Sequence, residues 1–375
     1  MVNYLKTKIT HLTSVHPRYD TRIFIKECSS LAKIENYEVS LIVADDKGDE
    51  LKNNVSIYDV GKLQGRLNRI FKTTKKIFQK AIELDSDIYH LHDPELLWIG
   101  RLLKQAGKTV IFDAHEDVPR QILAKQYIPT WLRKPISITV EWLENFIVKR
   151  LDAVVVPTTT ILDRFLALGT RTVEVRNYPL YEEVGNNTPW EQREDSVCYI
   201  GAVGCTRGIE EMVLAMEYCP TRFELGGDFR PASLQQKTEE LQGWKHVCHH
   251  GFVSRTQVQK ILAKSKVGLV LLHPTESYLE AIPVKMFEYM AAGIPFIASD
   301  FPFWRRLLDG HECGLFVDPL NPEKIGNAIC KLMDNQTLAE KMGQNGEKAA
   351  KTIFTWEKEA SKLHDLYTNI LKSTS

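Results

Sequence analysis

The sequence predicts an α/β protein: two Rossmann-like, doubly wound domains facing a central cleft, with a last helix returning toward the first domain. Three observations carry this. The chain has 375 residues, long for one domain and comfortable for two. Apolar runs of strand length alternate with helix-periodic segments throughout, the pattern of a parallel sheet flanked by helices. The pattern breaks once, at the polar, proline-bearing stretch NYPLYEEVGNNTPWEQRED (Asn177 to Asp195), and then restarts.

In the first half KITHLTSV reads as a strand, TRIFIKECSSLAKI as a helix and YEVSLIVA as the next strand. Gly65 to Leu84 reads as one amphipathic helix, with Leu67, Ile70, Phe71, Ile77, Phe78, Ala81 and Ile82 on a single face. DIYHLH, TVIFDAH, AVVVP and TVEVRN read as further strands. After the linker, VCYIGAV is a strand, GIEEMVLAME a helix, RFELGGD a strand and HVCHHGFV a short strand. RTQVQKILAKS then forms a helix, VGLVLLH a strand, Val284 to Ala292 a helix and PFIAS a strand. The terminal FTWEKEASKLHDLYTNILKS is a helix following a completed second core. The expected division is 1–180, 181–355 and 356–375, with ligands at the carboxyl ends of the strands.

Composition narrows the class. Apolar residues make up 43% and charged residues 26%, ordinary for a soluble globular protein. No run approaches the roughly 18 apolar residues of a membrane span, and the first residues lack a signal-peptide pattern. Seven cysteines without a CxxC argue against a disulfide framework or structural zinc and for a reducing cytoplasm. Lys+Arg and Asp+Glu balance at 48 each. The basic excess of the first half concentrates in GKLQGRLNRIFKTTKKIFQK (Gly61 to Lys80), which holds no acidic residue. A local basic face on a neutral chain points to an anionic surface or ligand and away from general nucleic-acid binding. The plain alternative is a helix with its apolar side on its own sheet. QYIPTWLRKPISITVEW adds Trp131, Arg133 and Lys134, which suit an interface anchor at the inner face of a cell membrane.

The chemistry centres on EAIPVKMFEYMAAG (Glu280 to Gly293). Pro283 suits a helix start and Gly293 the residue past its end. The unpaired N–H groups of the first turn, beginning at Val284, with the charge of Lys285, make a site for a diphosphate. Glu280 before the helix and Glu288 one turn in are poor phosphate ligands and good acceptors for sugar hydroxyls. Together they describe a nucleotide sugar, although a glutamate in a first turn is also favoured by the helix dipole alone.

These residues carry a resemblance. EAIPVKMFEYMAAGIPFIASD resembles the E-x7-E signature of retaining glycosyltransferases of the GT-B fold, family 4. HLTSVH…DTRIFIKECSSLA, HLHDPELL, FDAHEDVP, YIGAV…RGIEEMV and ECGLFVDP resemble the bacterial polysaccharide-biosynthesis branch. The resemblance implies that Glu288 holds the ribose hydroxyls, that Glu280 contacts the transferred sugar, and that Arg207, near Gly204, binds the diphosphate. It places His115 on the donor sugar. Ala202 stands where many relatives have arginine, and the first loop, SVHPRYDTRIF, has no glycine; His16, Asp20 and Arg22 are its candidate acceptor-side residues. The implied activity moves a hexose from a nucleotide sugar, UDP favoured, to a glycan or polyprenyl-diphosphate-linked acceptor, without metal or other cofactor and without nucleic acid.

Three other signals read differently. Asp85-Ser86-Asp87 resembles a metal-binding DxD but sits at a helix end and turn. His90 and His92 share a strand face and could hold zinc, a reading that the resemblance turns toward cleft lining. His246 to His250 lacks a second ligand cluster. The alternatives to transfer are a nucleotide-sugar epimerase or phosphorylase on the same fold, or a non-catalytic assembly partner.

Overall fold

The computed structural model describes residues 6–125, 128–185 and 188–374. The chain divides into two compact units, one of residues 1–177 with 359–375, the other of 178–358.

The first unit carries an eight-stranded sheet of β1 (Thr7–Leu12), β2 (Tyr37–Val43), β3 (Glu50–Lys52), β4 (Val55–Asp59), β5 (Ile88–Leu91), β6 (Thr109–Asp113), β7 (Ala153–Val156) and β8 (Thr172–Glu174). Its order is β3-β4-β2-β1-β5-β6-β7-β8, with every pairing parallel except β3 to β4. The strand order reverses between β1 and β5, where His11 lies opposite His90. The loops after these two strands therefore diverge and open a binding position. The strands are nearly continuous apolar runs because helices cover both faces; Ile9, Leu12, Leu41, Leu91, Ile111 and Val155 are fully buried.

The second unit has a six-stranded parallel sheet of β9 (Ser196–Ile200), β10 (Arg222–Gly226), β11 (Val247–His249), β12 (Val267–Val270), β13 (Phe296–Ser299) and β14 (Gly314–Val317), in the order β11-β10-β9-β12-β13-β14. Its reversal lies between β9 and β12. The two faces hold separate apolar cores, one built on Met286, Phe287, Met290 and Trp304, the other on Val213, Met216, Leu269 and Ile329.

Several expectations need correction. The stretch read as a linker is packed: Tyr178, Val184 and Trp190 are buried in the second unit. The remaining part of that stretch, Asn186 and Asn187, lies outside the described residues, as do Gln126 and Tyr127 of the expected interface anchor. The basic helix is not one amphipathic cylinder. It runs as Arg66–Asn68, a π-wound Arg69–Thr73 and Thr74–Leu84, and the wide turn shifts the inward face. Thr73, Thr74, Ile77 and Ala81 face the core, whereas Leu67 and Phe71 are 72% and 69% exposed.

Cysteine spacing also missed a disulfide between Cys219 and Cys330, 111 residues apart, with Cα atoms 5.7 Å from each other. Gly326 lets the helix Pro322–Asp334 approach the helix Ile209–Tyr218, since a Cβ there would lie 2.5 Å from Tyr218 Cβ. That close packing brings the two sulfurs together and leaves no local motif in the sequence.

The last helix, Trp356–Thr374, begins in the second unit and ends in the first, where Leu363 and Tyr367 are fully buried.

Candidate active site

In the second unit, the helix Val284–Ala291 starts after Pro283, which contributes no side-chain cap, so the N–H groups of Val284 and Lys285 are presented at its tip. Gly293, at φ +69°, closes the helix. Its N–H donates to Met290 O, and the N–H of Ile294 donates to Tyr289 O. This is the left-handed stop that glycine permits.

The loop after β9 lies against this tip. Gly201 has φ +143°, and a Cβ there would fall 2.4 Å from Lys285 Cε and 2.6 Å from its Nζ. The missing side chain is what lets the lysine lie over the loop. Gly208, at φ +73°, starts the next helix with Leu271 O only 2.1 Å from where a Cβ would stand. Gly204 is extended at φ −155° and meets nothing closer than 3.5 Å, so space alone does not demand glycine there.

Lys285 and Arg207 form a cationic pair. Burial first, and then the charge of Arg207, pull the Lys285 pKa down to about 8, against an upward pull from Glu288. Lys285 Nζ lies 5.3 Å from the Tyr199 ring centroid, and the Arg207 guanidinium lies 6.0 Å from that of Tyr278. The Tyr199 hydroxyl donates to the carbonyl of Ala202 at 2.8 Å, so the alanine position contributes to the site through its backbone. Two cations held together in partly desolvated surroundings at a helix tip make an anion site.

Glu288 sits one turn into the helix and is only 14% exposed. Its Oε1 accepts from Arg255 Nη1 at 3.0 Å, while Arg255 Nη2 donates to Glu183 at 2.7 Å. Arg255 follows Ser254, whose side chain caps the helix Arg255–Lys264 reciprocally with Gln257. Sequence reasoning missed Arg255, Glu183, Tyr199 and Gly201; only the Ser254–Gln257 capping spacing marked that region. Glu280 lies on the surface just after the short helix Glu276–Leu279. A cavity of about 690 Å³ lined by Leu279, Asp300, Phe316 and Lys324 occupies the same unit, but Arg207, Lys285 and Glu288 are not among its walls.

In the first unit, His16 and His115 meet at the carboxyl ends of β1 and β6, ring centroids 5.0 Å apart and partly exposed. His115 Nε2 lies 3.2 Å from Asp113 Oδ2 and 3.1 Å from His92 Nδ1. His16 lies between Asp20 and Asp93, 3.4 Å from each. Burial opposes its charge, but the hydrogen bond to Asp20 and the nearby carboxylates raise its pKa. Asp20 caps the π-wound helix Thr21–Cys28 by accepting from the N–H groups of Arg22 and Ile23 at 2.8 and 3.0 Å. Burial pushes the Asp20 pKa up, and the hydrogen bonds from His16 and the Ile23 N–H outweigh it, leaving about 2.

Arg22 is spent inside this unit. It is 5% exposed, grips Asp113 with Nε at 2.9 Å and Nη2 at 3.0 Å, and donates from Nη1 to Val175 O. It holds β6, which carries His115 at its end. Asp93 is likewise engaged, accepting from Thr13 Oγ1 and the Ser14 N–H. The glycine-free first loop is thus pinned by side chains. Asp85 lies at a helix end in left-handed conformation, paired with Lys108, and Asp87 accepts from the Lys8 N–H. His250 pairs with Glu224, which also binds Arg222 and Lys264.

Known proteins resemble the chain in sequence and in fold. Residues 24–176 match the family model Glycosyltransferase Family 4, and residues 182–349 match Glycosyl transferases group 1. An uncharacterized glycosyltransferase of Methanocaldococcus jannaschii is 24% identical over 173 residues, 46% of this chain and 47% of that one. The chain spans about half the length of the curated relatives it matches. Among solved structures, sucrose-phosphate synthase of Thermosynechococcus elongatus superposes with TM-score 0.77 at 18% identity, covering 98% of this chain and 100% of that one. HepE of Anabaena, solved with UDP and glucose, superposes with TM-score 0.74 at 14% identity, covering 97% and 100%. With two parallel-sheet units and both family models matched along it, the chain belongs to the family 4 glycosyltransferases of the GT-B fold.

Proposed function

We propose that this enzyme moves a hexose from a nucleotide sugar, UDP favoured, to a lipid-linked glycan acceptor during assembly of a bacterial surface polysaccharide, with retention of anomeric configuration. The observation that carries the reading is the Arg207–Lys285 pair at the uncapped tip of the helix Val284–Ala291, with Glu288 one turn further on. When the anomeric C–O bond breaks, negative charge grows on the diphosphate and positive charge on the sugar ring. Fixed cations and helix N–H groups stabilise the leaving group. Glu288 presents a carboxylate, already oriented by Arg255, to the ribose hydroxyls. Glu280 positions the sugar and acts electrostatically; same-face attack by the acceptor assisted by the leaving phosphate needs no protein nucleophile and no metal. UDP is favoured because HepE, a structural neighbour, was solved with UDP-glucose.

A membrane-side acceptor is supported by the first unit's surface. Trp131, Ile138 and Trp142 follow one another at spacings of seven and four along the helix Thr130–Val148, lining one stripe, and are 76%, 57% and 62% exposed. Arg133, Lys134 and the Arg66–Leu84 segment with Leu67 and Phe71 add charge and apolar side chains, the composition of an interfacial anchor. Among the described residues no helix is long and apolar enough to cross a membrane.

The test is a panel of UDP-, GDP- and ADP-sugars assayed for donor hydrolysis, with nucleotide binding followed by calorimetry. Turnover of one donor class with loss in Glu280→Ala supports transfer. Interconversion of sugar nucleotides without acceptor would instead mark an epimerase, and the absence of nucleotide binding a non-catalytic partner. Flotation with anionic vesicles, lost at high salt and in a Trp131→Ala/Trp142→Ala variant, tests the membrane contact.

A further inference from the structure

Beneath the sugar-side histidines lies a second cluster that transfer does not use. His11 on β1, His90 and, just past β5, His92 share one sheet face, and Glu27 projects onto them from the helix Thr21–Cys28. All four are fully buried or nearly so. One ligand atom from each lies within 4.8 Å of the others. His11 Nδ1 is 2.8 Å from His92 Nε2, and Glu27 Oε2 is 4.0 and 3.9 Å from those same two nitrogens.

Two features set this apart from an ordinary buried polar network. Oε2 of Glu27 and Nε2 of His90 are buried without a hydrogen-bond partner, and Oε1 of Glu27 has an ion pair with Arg22 Nε at 3.1 Å in place of a hydrogen bond, although buried polar groups are almost always matched. Of the inward nitrogens, those of His11 and His92 hydrogen-bond each other at 2.8 Å, and the outward nitrogen of each histidine is engaged as well. His90 Nδ1 meets the Tyr367 hydroxyl at 2.7 Å, His11 Nε2 meets the same hydroxyl at 3.5 Å, and His92 Nδ1 meets His115 Nε2 at 3.1 Å. One nitrogen inward and the other held by a neighbour is the arrangement of metal-ligating histidines. Charge points the same way. Arg22 Nε lies between Asp113 at 2.9 Å and Glu27 at 3.1 Å, one cation for two carboxylates among the described residues. A proton on Glu27 would satisfy one oxygen and leave His90 Nε2 unmatched, whereas a dication answers both.

We propose that His11, His90, His92 and Glu27 bind a divalent transition-metal ion of the Zn²⁺ class as a closed, structural site. Tetrahedral zinc with nitrogen and oxygen ligands spaces neighbouring ligand atoms by roughly 3.3 Å. The His11–His92 contact opens and the Glu27 contacts close by about half an ångström or slightly more to reach that value. Four protein ligands leave no open position for chemistry, so the ion fixes β1, β5 and the helix Thr21–Cys28 beneath His115 and takes no part in transfer. Imidazole and carboxylate donors select zinc, nickel or copper over magnesium or calcium. Because the ligands are buried, the ion is taken up as the unit folds.

The experiment uses the full chain without a histidine tag, expressed with and without added Zn²⁺. Metal content of the native protein is measured, and the chain is then unfolded with chelator and refolded with Zn²⁺, with Co²⁺ or without metal. One equivalent of metal, visible d–d bands of tetrahedral Co²⁺, and a higher melting temperature in the metal-refolded protein are expected. Glu27→Gln and His90→Gln should each weaken binding by about tenfold or more. If His90→Gln does not fold, the isosteric Glu27→Gln decides alone. Native protein carrying far less than one equivalent even after growth with zinc would overturn the proposal. So would undiminished binding in the folded variants, which would place the metal elsewhere, for instance at Glu224, Cys248 and His250. None of these readouts depends on donor or acceptor, so they stand or fall apart from the proposed activity.

Discussion

Replacing Lys285 by methionine should make the protein more stable and a worse enzyme at the same time. Its folded pKa of about 8 lies below the ordinary 10.5, with burial the first cause and the Arg207 charge the second. Between those values the unfolded chain binds more protons than the folded one, so stability rises with pH through that window and the penalty is fully present below 8. A shift of this size corresponds to about 3 kcal/mol at pH 7, an upper figure, shrinking to about 1 kcal/mol by pH 10. Methionine keeps the unbranched length over Gly201 without the charge. For a unit the size of the second one, each kcal/mol moves the melting temperature by about 2–4 °C. The variant should therefore melt several degrees higher at pH 7, with most of the gain gone at pH 10, as read by differential scanning fluorimetry across pH. Calorimetry should show nucleoside-diphosphate binding weakened by about tenfold or more, the value of a charge-assisted hydrogen bond of about 1.5–3 kcal/mol. A variant no more stable at pH 7 than at pH 10 relative to wild type, or one binding the diphosphate unchanged, would refute the idea that Lys285 is held desolvated for an anion.

Gly201→Ala should reproduce the binding defect without touching a charge, because its Cβ would meet Lys285 at 2.4 Å; unchanged diphosphate affinity would separate the loop from the site. Glu288→Ala should weaken binding of the whole nucleotide by about tenfold while leaving inorganic pyrophosphate binding within twofold, since the lost contacts are to ribose hydroxyls; equal losses for both ligands would place the glutamate elsewhere. Arg22→Met should cost the first unit about 3–5 kcal/mol by stranding Asp113 without its guanidinium partner. Soluble protein with unchanged urea unfolding would contradict that account.

Strand and helix order could be read from the sequence because alternation of apolar runs with 3.6-residue periodicity survives in every unit of a parallel sheet. Three strands, β3, β4 and β14, were not read at all, and one group of misreadings lies at the strand ends. Strands expected to run through Val15, His115, Val203 and His273 end at Leu12, Asp113, Ile200 and Val270. Apolar character continues past the strand ends into the loops, so the pattern conceals where each strand stops. The helix Val284–Ala291 was legible to within a residue because proline and glycine bracket it. The partners of its glutamate were not: Arg255 lies 33 residues from Glu288 and Glu183 lies 72 from Arg255, and no local spacing reports such pairings. The helix Thr21–Cys28 hid its role for another reason. Its inward face carries Arg22, Lys26 and Glu27, charges that binary patterning assigns to solvent. Arg22, read as a first-loop ligand group, is a strut.

The burial of Tyr367 against His90 and His11 has a bearing on biogenesis. Residues near position 90 leave the ribosome long before position 367, so the larger part of this unit's sheet must wait, with polar groups on one face unmatched, while the entire other unit is synthesised. Vectorial folding, in which an early domain completes before a later one begins, leaves this unit without its last helix until the second unit has been made. Nascent chains arrested before Glu359 should remain protease-sensitive in their amino-terminal half, and a detached peptide covering the helix Trp356–Thr374 should restore resistance when supplied in trans.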